Sequence, residues 1–345
     1  MTPPTAHRTA VVAIGGNALL RGGARATIAE QFDAARQLAA PLAALATGGQ
    51  RVVVTHGNGP QVGFIKRRSD LVAPLAPELP SLDLDMCVAD SQGSIGYILA
   101  STLGELLPGR VAALVTHTVV AADDPAFARP TKPIGSFLTE SAARALAAEH
   151  GWRVAEDAGR GWRRVVPSPR PVRVLETEAV RSLAADGFTV IAGGGGGIPL
   201  RETPGGGFRG VEAVIDKDLT SAHLAGALDA KLLVITTGAD RVAVDYGRPG
   251  QRFLDHIGAD EAELLLAQGQ FPEGSMGPKI RAALEFLAGG PGRVVLITSP
   301  DRLAAALDGA GGTRITATTA SATATASPTA APASAPTPAP TVAPT

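Results

Sequence analysis

Residues 9–20 read TAVVAIGGNALL. Positions 10–14 (AVVAI) are apolar without a break and rich in β-branched side chains, and Gly15 and Gly16 stop them. Consecutive rather than alternating apolar residues mark a strand covered on both faces. Arg8 ahead of this run loosely imitates the charged and apolar regions of a secretory signal. The glycines and Asn17 cut the run in its middle, however, and no small-residue cleavage site follows. A buried strand entering a glycine turn accounts for the stretch better.

Outward from this strand the same design repeats. A helical pattern over roughly 26–47 puts Ile28, Phe32, Ala35, Leu38, Leu42 and Leu45 near one face, with Pro41 expected to bend or divide it. RVVVTH (51–56) is a second buried strand and ends in GNGPQVG. A helix is expected over about 83–106, then a third strand, VAALVT (111–116). FTVIAG (188–193), KLLVITT (231–237) and RVVLITS (293–299) are later strands, and helices are expected near 176–186, 259–268, 278–288 and 301–307. GGTRI (311–315) reads as an edge strand.

Strands alternating with helices imply an α/β fold, a three-layer αβα sandwich around a mostly parallel central sheet. Ligands bind such sheets at the carboxyl ends of the strands, so the glycine turns should converge in space. Between about 123 and 170 the alternation breaks into proline- and arginine-rich sequence. That segment reads as a small inserted subdomain with short strands and one helix (about 139–149), at the edge of the site. Residues 10–315 then form the folded unit. Residues 1–9 and 316–345 are expected to be disordered, the latter being Ala, Thr, Pro and Ser with one Val and no charge.

Composition narrows the partners. The net charge of −1 argues against nucleic acid or an anionic membrane, either of which would favour a basic excess. No run reaches the roughly 18 apolar residues of a membrane span. The single cysteine, Cys87, permits no internal disulfide, which suits a cytoplasmic location.

The turns carry the chemistry. GGN (15–17) and HGNGPQVG (56–63) each follow an apolar strand, and GGGGG (193–197) follows another. Glycine lets the backbone approach a ligand, and consecutive amides in a turn form an anion nest. Asn17 and Asn58 add side-chain donors. The common nucleotide signature G-x-x-x-x-G-K-[ST] is absent. A G-x-G-x-x-G match at Gly205, Gly207 and Gly210 follows TPGGGF rather than a strand, and is better read as a hairpin tip. The six histidines have no metal-ligand spacing, and no G-x-S-x-G elbow offers a serine nucleophile.

What remains is lysine. In GVEAVIDKDLTSAHLA (210–225), Lys217 lies among apolar neighbours, where it needs an anionic partner or loses its charge. Asp216 is placed to orient one, although it could equally cap a helix and leave Lys217 solvated. Lysines and arginines total 31, yet only Lys66, Lys132, Lys217, Lys231 and Lys279 are lysines, so each one kept is informative. Lys132 (PTKPIG), Lys217 (VIDKD) and Lys279 (EGSMGPK) sit beside glycine, proline or a carboxylate. Compact ammonium groups in such settings suit phosphate oxygens and suggest a phosphoryl-transfer site.

Taken together, AIGGNAL (13–19), THGNGPQVG (55–63), PAF with PTKPIG (125–135), GWRRVVPSPRP (161–171), AGGGGGIPL (192–200), GVEAVIDKDL (210–219) and FPEGSMGPK (271–279) resemble the carbamate kinases, a group within the amino acid kinase fold. Related acetylglutamate kinases carry a lysine in the first strand before the glycines. VVAIGGN has none, and the resemblance puts the corresponding charge on Lys132 of the insertion. The resemblance implies phosphoryl transfer between ATP and carbamate, giving ADP and carbamoyl phosphate, with Mg2+ held largely by nucleotide phosphates and water. It implies catalytic roles for Lys132, Lys217 and Lys279, with Asp216 holding the lysines in register. The amides of Gly15, Gly16, Gly57 and Gly59, with Asn17 and Asn58, would cradle substrate and phosphoryl group. Thr237, Asp240, Tyr246, Met276 and Gly277 would line the nucleotide pocket. A homodimer is also implied. Two alternatives stay open: a kinase making the acyl phosphate of a larger carboxylate, and a non-catalytic sensor of nucleotide or carbamoyl phosphate.

Overall fold

The computed structural model describes residues 8–20, 27–157 and 159–317. The expected disordered ends lie outside the described residues except for Arg8, Thr9, Thr316 and Ala317, and the Asn17 side chain is outside them too. The first strand, Thr9–Ile14, and the last, Thr313–Thr316, each reach one residue beyond the limits expected for the folded unit.

Eight strands form the central sheet, in the order His256–Gly258, Thr313–Thr316, Val294–Thr298, Leu232–Thr236, Thr9–Ile14, Arg51–His56, Thr189–Ile191 and Val111–Ala113. The last six run parallel, and Thr313–Thr316 is antiparallel to Val294–Thr298. Thr313–Thr316 is therefore not at the edge as expected, because His256–Gly258 pairs beyond it. The unbroken apolar run of the first strand has the predicted cause. Val11 and Ala13 pack on one face of the sheet, with helices Thr177–Ala185, Lys217–Ala227 and Met276–Ala288. Val12 and Ile14 pack on the other, with helices Ile28–Thr47 and Leu84–Leu106. Each branched side chain fully buried this way contributes about 1.5–3 kcal/mol over leaving it exposed. This is the three-layer αβα arrangement.

The Ile28–Thr47 helix starts in a capping box, Thr27 with Glu30, and Pro41 does not divide it. The VAALVT expectation was too long. The chain leaves the main sheet after Ala113, and His117–Val120 joins a second sheet with Phe208–Gly210, Ile198–Glu202 and Pro171–Val174. Ile198–Glu202 and Phe208–Gly210 are an antiparallel pair, so Gly205 and Gly207 do lie at a hairpin tip. Helix Gln61–Val72 was not anticipated at all. Lys132–Leu138, Trp162–Val166 and Arg153–Glu156 make a separate three-stranded antiparallel sheet with helix Glu140–His150. Among the described residues, no helix is long and apolar enough to cross a membrane.

Candidate active site

Helix Lys217–Ala227 begins where the glycine turns meet. Asp216 is its N-cap: one carboxylate oxygen accepts the Asp218 amide at 2.8 Å. The other accepts Lys132 Nζ at 2.6 Å, reaching in from the three-stranded sheet. The cap and the lysine partner are thus one residue using its two oxygens separately. Lys217 is 8% exposed and donates to Asp218 Oδ1 at 2.5 Å. Lys279, one turn into helix Met276–Ala288, reaches Asp218 Oδ2 and the Ser275 carbonyl, both at 3.2 Å.

Asp216 therefore bonds one lysine, not all three. Asp218, which sequence reasoning passed over, bonds the other two. Its signal was the second acid in VIDKD, easily taken for an ordinary negative charge in a helix's first turn. Three ammonium groups on two carboxylates leave a surplus positive charge facing the turns. Burial opposes ionisation of Asp216, but Lys132, with Lys279 and Lys217, holds its carboxyl well below the ordinary carboxylate range. Burial likewise opposes charge on Asp218, and Lys217 and Lys279 overcome it. Burial pushes Lys217 down despite Asp218. At Lys279 burial is outweighed by Asp218 and Asp216, which raise it.

The turns interlock so tightly that side chains are excluded. A Cβ on Gly57 would lie 2.8 Å from the Gly16 nitrogen and 3.4 Å from Lys217 Cδ, and one on Gly16 would lie 3.1 Å from the Gly59 nitrogen. Two of the four amides expected to cradle a ligand are engaged by the fold: Gly15 donates to Thr236 Oγ1 at 3.0 Å and Gly57 to the Ile14 carbonyl at 2.9 Å. Asn58 is buried and donates to Ser91 Oγ at 3.0 Å. The third glycine run packs on this group. Gly195 abuts the Asn58 side chain, while the Gly196 carbonyl accepts Thr118 and Thr220 hydroxyls at 2.8 and 2.9 Å.

The other expected residues lie at the end of the Leu232–Thr236 strand and the start of the Met276 helix. Thr237 donates its amide to Thr298, and Asp240 accepts Ser299 Oγ at 2.5 Å. Met276 opens its helix and Gly277 is buried beside it. Tyr246 is 68% exposed, between strands Val242–Val244 and Arg252–Leu254.

Comparison with known proteins agrees with this arrangement. The amino acid kinase family model matches residues 8–298. The carbamate kinase-like protein YahI of Escherichia coli is 44% identical over 313 residues, 89% of this chain and 98% of that protein. A carbamate kinase of Thermococcus kodakarensis is 43% identical over 88% of this chain and 98% of its own length. Among solved structures, the carbamate kinase from Giardia lamblia bound to AMP-PNP is 39% identical with a TM-score of 0.81, covering 91% of this chain and 99% of that one. The chain belongs to the carbamate kinase group of the amino acid kinase family.

Proposed function

We propose that this chain transfers a phosphoryl group reversibly between ATP and carbamate, giving ADP and carbamoyl phosphate. The observation that carries the reading is the meeting of Lys132 with Asp216 at the head of the helix that also bears Lys217. The first strand, Thr9–Ile14, has no lysine, and a lysine from a separate small sheet supplies positive charge in its place. The reaction itself comes from the relatives named carbamate kinases.

Carbamate attacks through an oxygen that is already anionic, so no general base is needed. Catalysis reduces to alignment and to neutralising charge on the transferred group. Lys217 bridges the transferring oxygens, Lys132 covers the γ-phosphoryl and carbamate side, and Lys279 neutralises the β/γ side. Asp216 and Asp218 keep these ammonium groups charged and in register. The free edge of the turns, chiefly the amides of Gly16 and Gly59 with Asn58, receives the small substrate and the phosphoryl group. Thr237, Asp240, Tyr246, Met276 and Gly277 line the nucleotide side; the Giardia relative's complex with AMP-PNP supports a nucleotide site in this fold.

Among the described residues, no group of three or more His, Cys, Asp or Glu could hold a metal ion, and Asp216 and Asp218 are tied to lysines. That donor set fits Mg2+ arriving on the nucleotide phosphates and held there by phosphate oxygens and water. Bound so, it adds positive charge to the phosphates. The protein is read as a cytoplasmic homodimer, like its family.

The test is ADP phosphorylation by carbamoyl phosphate, comparing wild type with Lys217→Ala and Lys132→Ala. Full activity in both variants would overturn the site assignment. A wild type inactive with carbamoyl phosphate but active with another acyl phosphate would reassign the substrate.

A further inference from the structure

We infer that Gly63 is a positioning residue for Lys132, acting through a backbone seat on Gly135; the inference rests on the role given to Lys132 above. Gly63 lies in helix Gln61–Val72, directly after the Gly57–Gly59 turn, and Gly135 lies in strand Lys132–Leu138, three residues past Lys132. The two backbones touch. A Cβ on Gly63 would overlap the Gly135 nitrogen and Cα and stand 3.1 Å from the Ile134 carbonyl carbon. An interior helical glycine is otherwise unfavourable, since alanine is the better helix former. The contact gives this helix a reason to keep glycine.

The other side of the seat is equally specific. Gly135 has φ +74°, where the pairing of Lys132–Leu138 with Trp162–Val166 shifts register between Ile134 and Leu138. This bulge turns the backbone toward the helix. Arg163 donates from Nε to the Gly135 carbonyl at 3.1 Å, and Asp157 fixes Arg163 at 3.0 Å. Gly135 is thus held between Gly63 and Arg163. Lys132 is three residues away on a paired strand, roughly 10 Å at extended spacing. A displacement at the seat therefore carries to its ammonium group.

One chain segment, residues 57–63, thereby makes both the phosphoryl-side turn and the dock for the sheet that delivers Lys132. An added methyl group must lift that sheet by about 1 Å, enough to cost on the order of a hundredfold in a positioned transfer. A cavity of about 110 Å³ beside the seat, lined by Lys66, Asp70, Leu146, Trp152 and Arg164 among others, gives the lifted sheet room to settle without unfolding.

The experiment is a double-mutant cycle on kcat for ADP phosphorylation by carbamoyl phosphate, using wild type, Gly63→Ala, Lys132→Ala and the double variant. Gly63→Ala alone should lower kcat at least tenfold, and should lower it no further once Lys132 is alanine. Wild-type turnover in Gly63→Ala, or two factors that simply multiply, would overturn the inference. Unchanged activity in Lys132→Ala would instead overturn the assigned role of Lys132. If Gly63→Ala fails to fold, Arg163→Lys enters the same cycle, because it loosens Gly135 from within the small sheet. Its effect should also vanish in the Lys132→Ala background, and an effect that persists there would overturn the inference.

Discussion

Lys132 and Asp216 lie 84 residues apart in the chain and 2.6 Å apart in space. They join the small antiparallel sheet to the helix at the centre of the site. Asp216 uses one oxygen for Lys132 and the other to cap the helix, so the two functions can be separated. Asparagine caps about as well as aspartate. Asp216→Asn should therefore cost only about 1 kcal/mol of stability, because Lys132 is 28% exposed and can be solvated. Activity should fall far more, by roughly a hundredfold, as the lysine loses its position. Urea unfolding and steady-state kinetics on the same preparation check this. A loss of stability in step with activity would contradict it.

Asp218 should behave differently. It accepts both Lys217 and Lys279 and its side chain is only 4% exposed. Removing its charge leaves two largely buried ammonium groups under-compensated, a loss on the order of 3 kcal/mol. Asp218→Asn should lower the urea midpoint clearly more than Asp216→Asn does. Equal midpoints would mean that the network is not organised around Asp218.

The parallel strands were legible because burial on both faces writes itself as an unbroken apolar run, as in AVVAI and RVVVTH. Helix Gln61–Val72 was not, because only Val62 and Gly63 are buried along it and the rest reads as polar loop. Its position depends on the contact with Gly135, which leaves no local pattern. VAALVT was overextended for a related reason. Thr116 is apolar-compatible in sequence, but Gln92 holds its amide and carbonyl at 2.8 and 3.0 Å as the chain passes between sheets. The lysines were legible through their scarcity and their neighbours. The division of labour between Asp216 and Asp218 was not, since it depends on which oxygen each ammonium group reaches.

His56 sets a stability window. Burial holds its imidazole down to about 4 from 6.5; the bond to the Gly57 carbonyl opposes this and Lys217 adds to it. The unfolded chain therefore binds a proton that the folded chain refuses between about pH 6.5 and 4. Stability must fall as pH falls through that window, by about 2 kcal/mol between pH 7 and 5. Asp216 and Asp218 act lower. Their depressed carboxyls stabilise the fold above the ordinary carboxylate range, and that contribution is lost as pH drops below about 3.8. Urea unfolding at pH 7 and 5 should show the first loss in wild type and a much smaller one in His56→Gln. The same loss in both would assign it to other groups.

Cys87 should be inert. It is fully buried, and burial pushes its thiol up to about 11. Lys66 alone works against the shift, and weaker repulsion from Asp90, Glu212 and Asp70 adds to it. Near pH 8 the thiolate fraction is then about two orders of magnitude below that of a free cysteine. Ellman's reagent should label the native protein at least that much more slowly than the urea-unfolded chain. Rapid native labelling would mean that helix Leu84–Leu106 opens locally.

Gly195 tests whether Asn58 faces the small substrate. Its φ is +64°, and a Cβ there would overlap the Asn58 side-chain amide that is fixed by Ser91. Gly195→Ala must therefore push Asn58 out of place, while Met276, Gly277 and Lys279 belong to a different helix. The KM for carbamoyl phosphate should rise about tenfold or more, since a displaced polar contact to a small anion costs at least 1.4 kcal/mol. The KM for ADP should change less than about twofold, because uniform binding on the nucleotide side is untouched. Initial-rate kinetics with each substrate varied in turn separate the two. If both constants rise together, the turn supports the whole cleft and Asn58 has no special relation to the carbamoyl side.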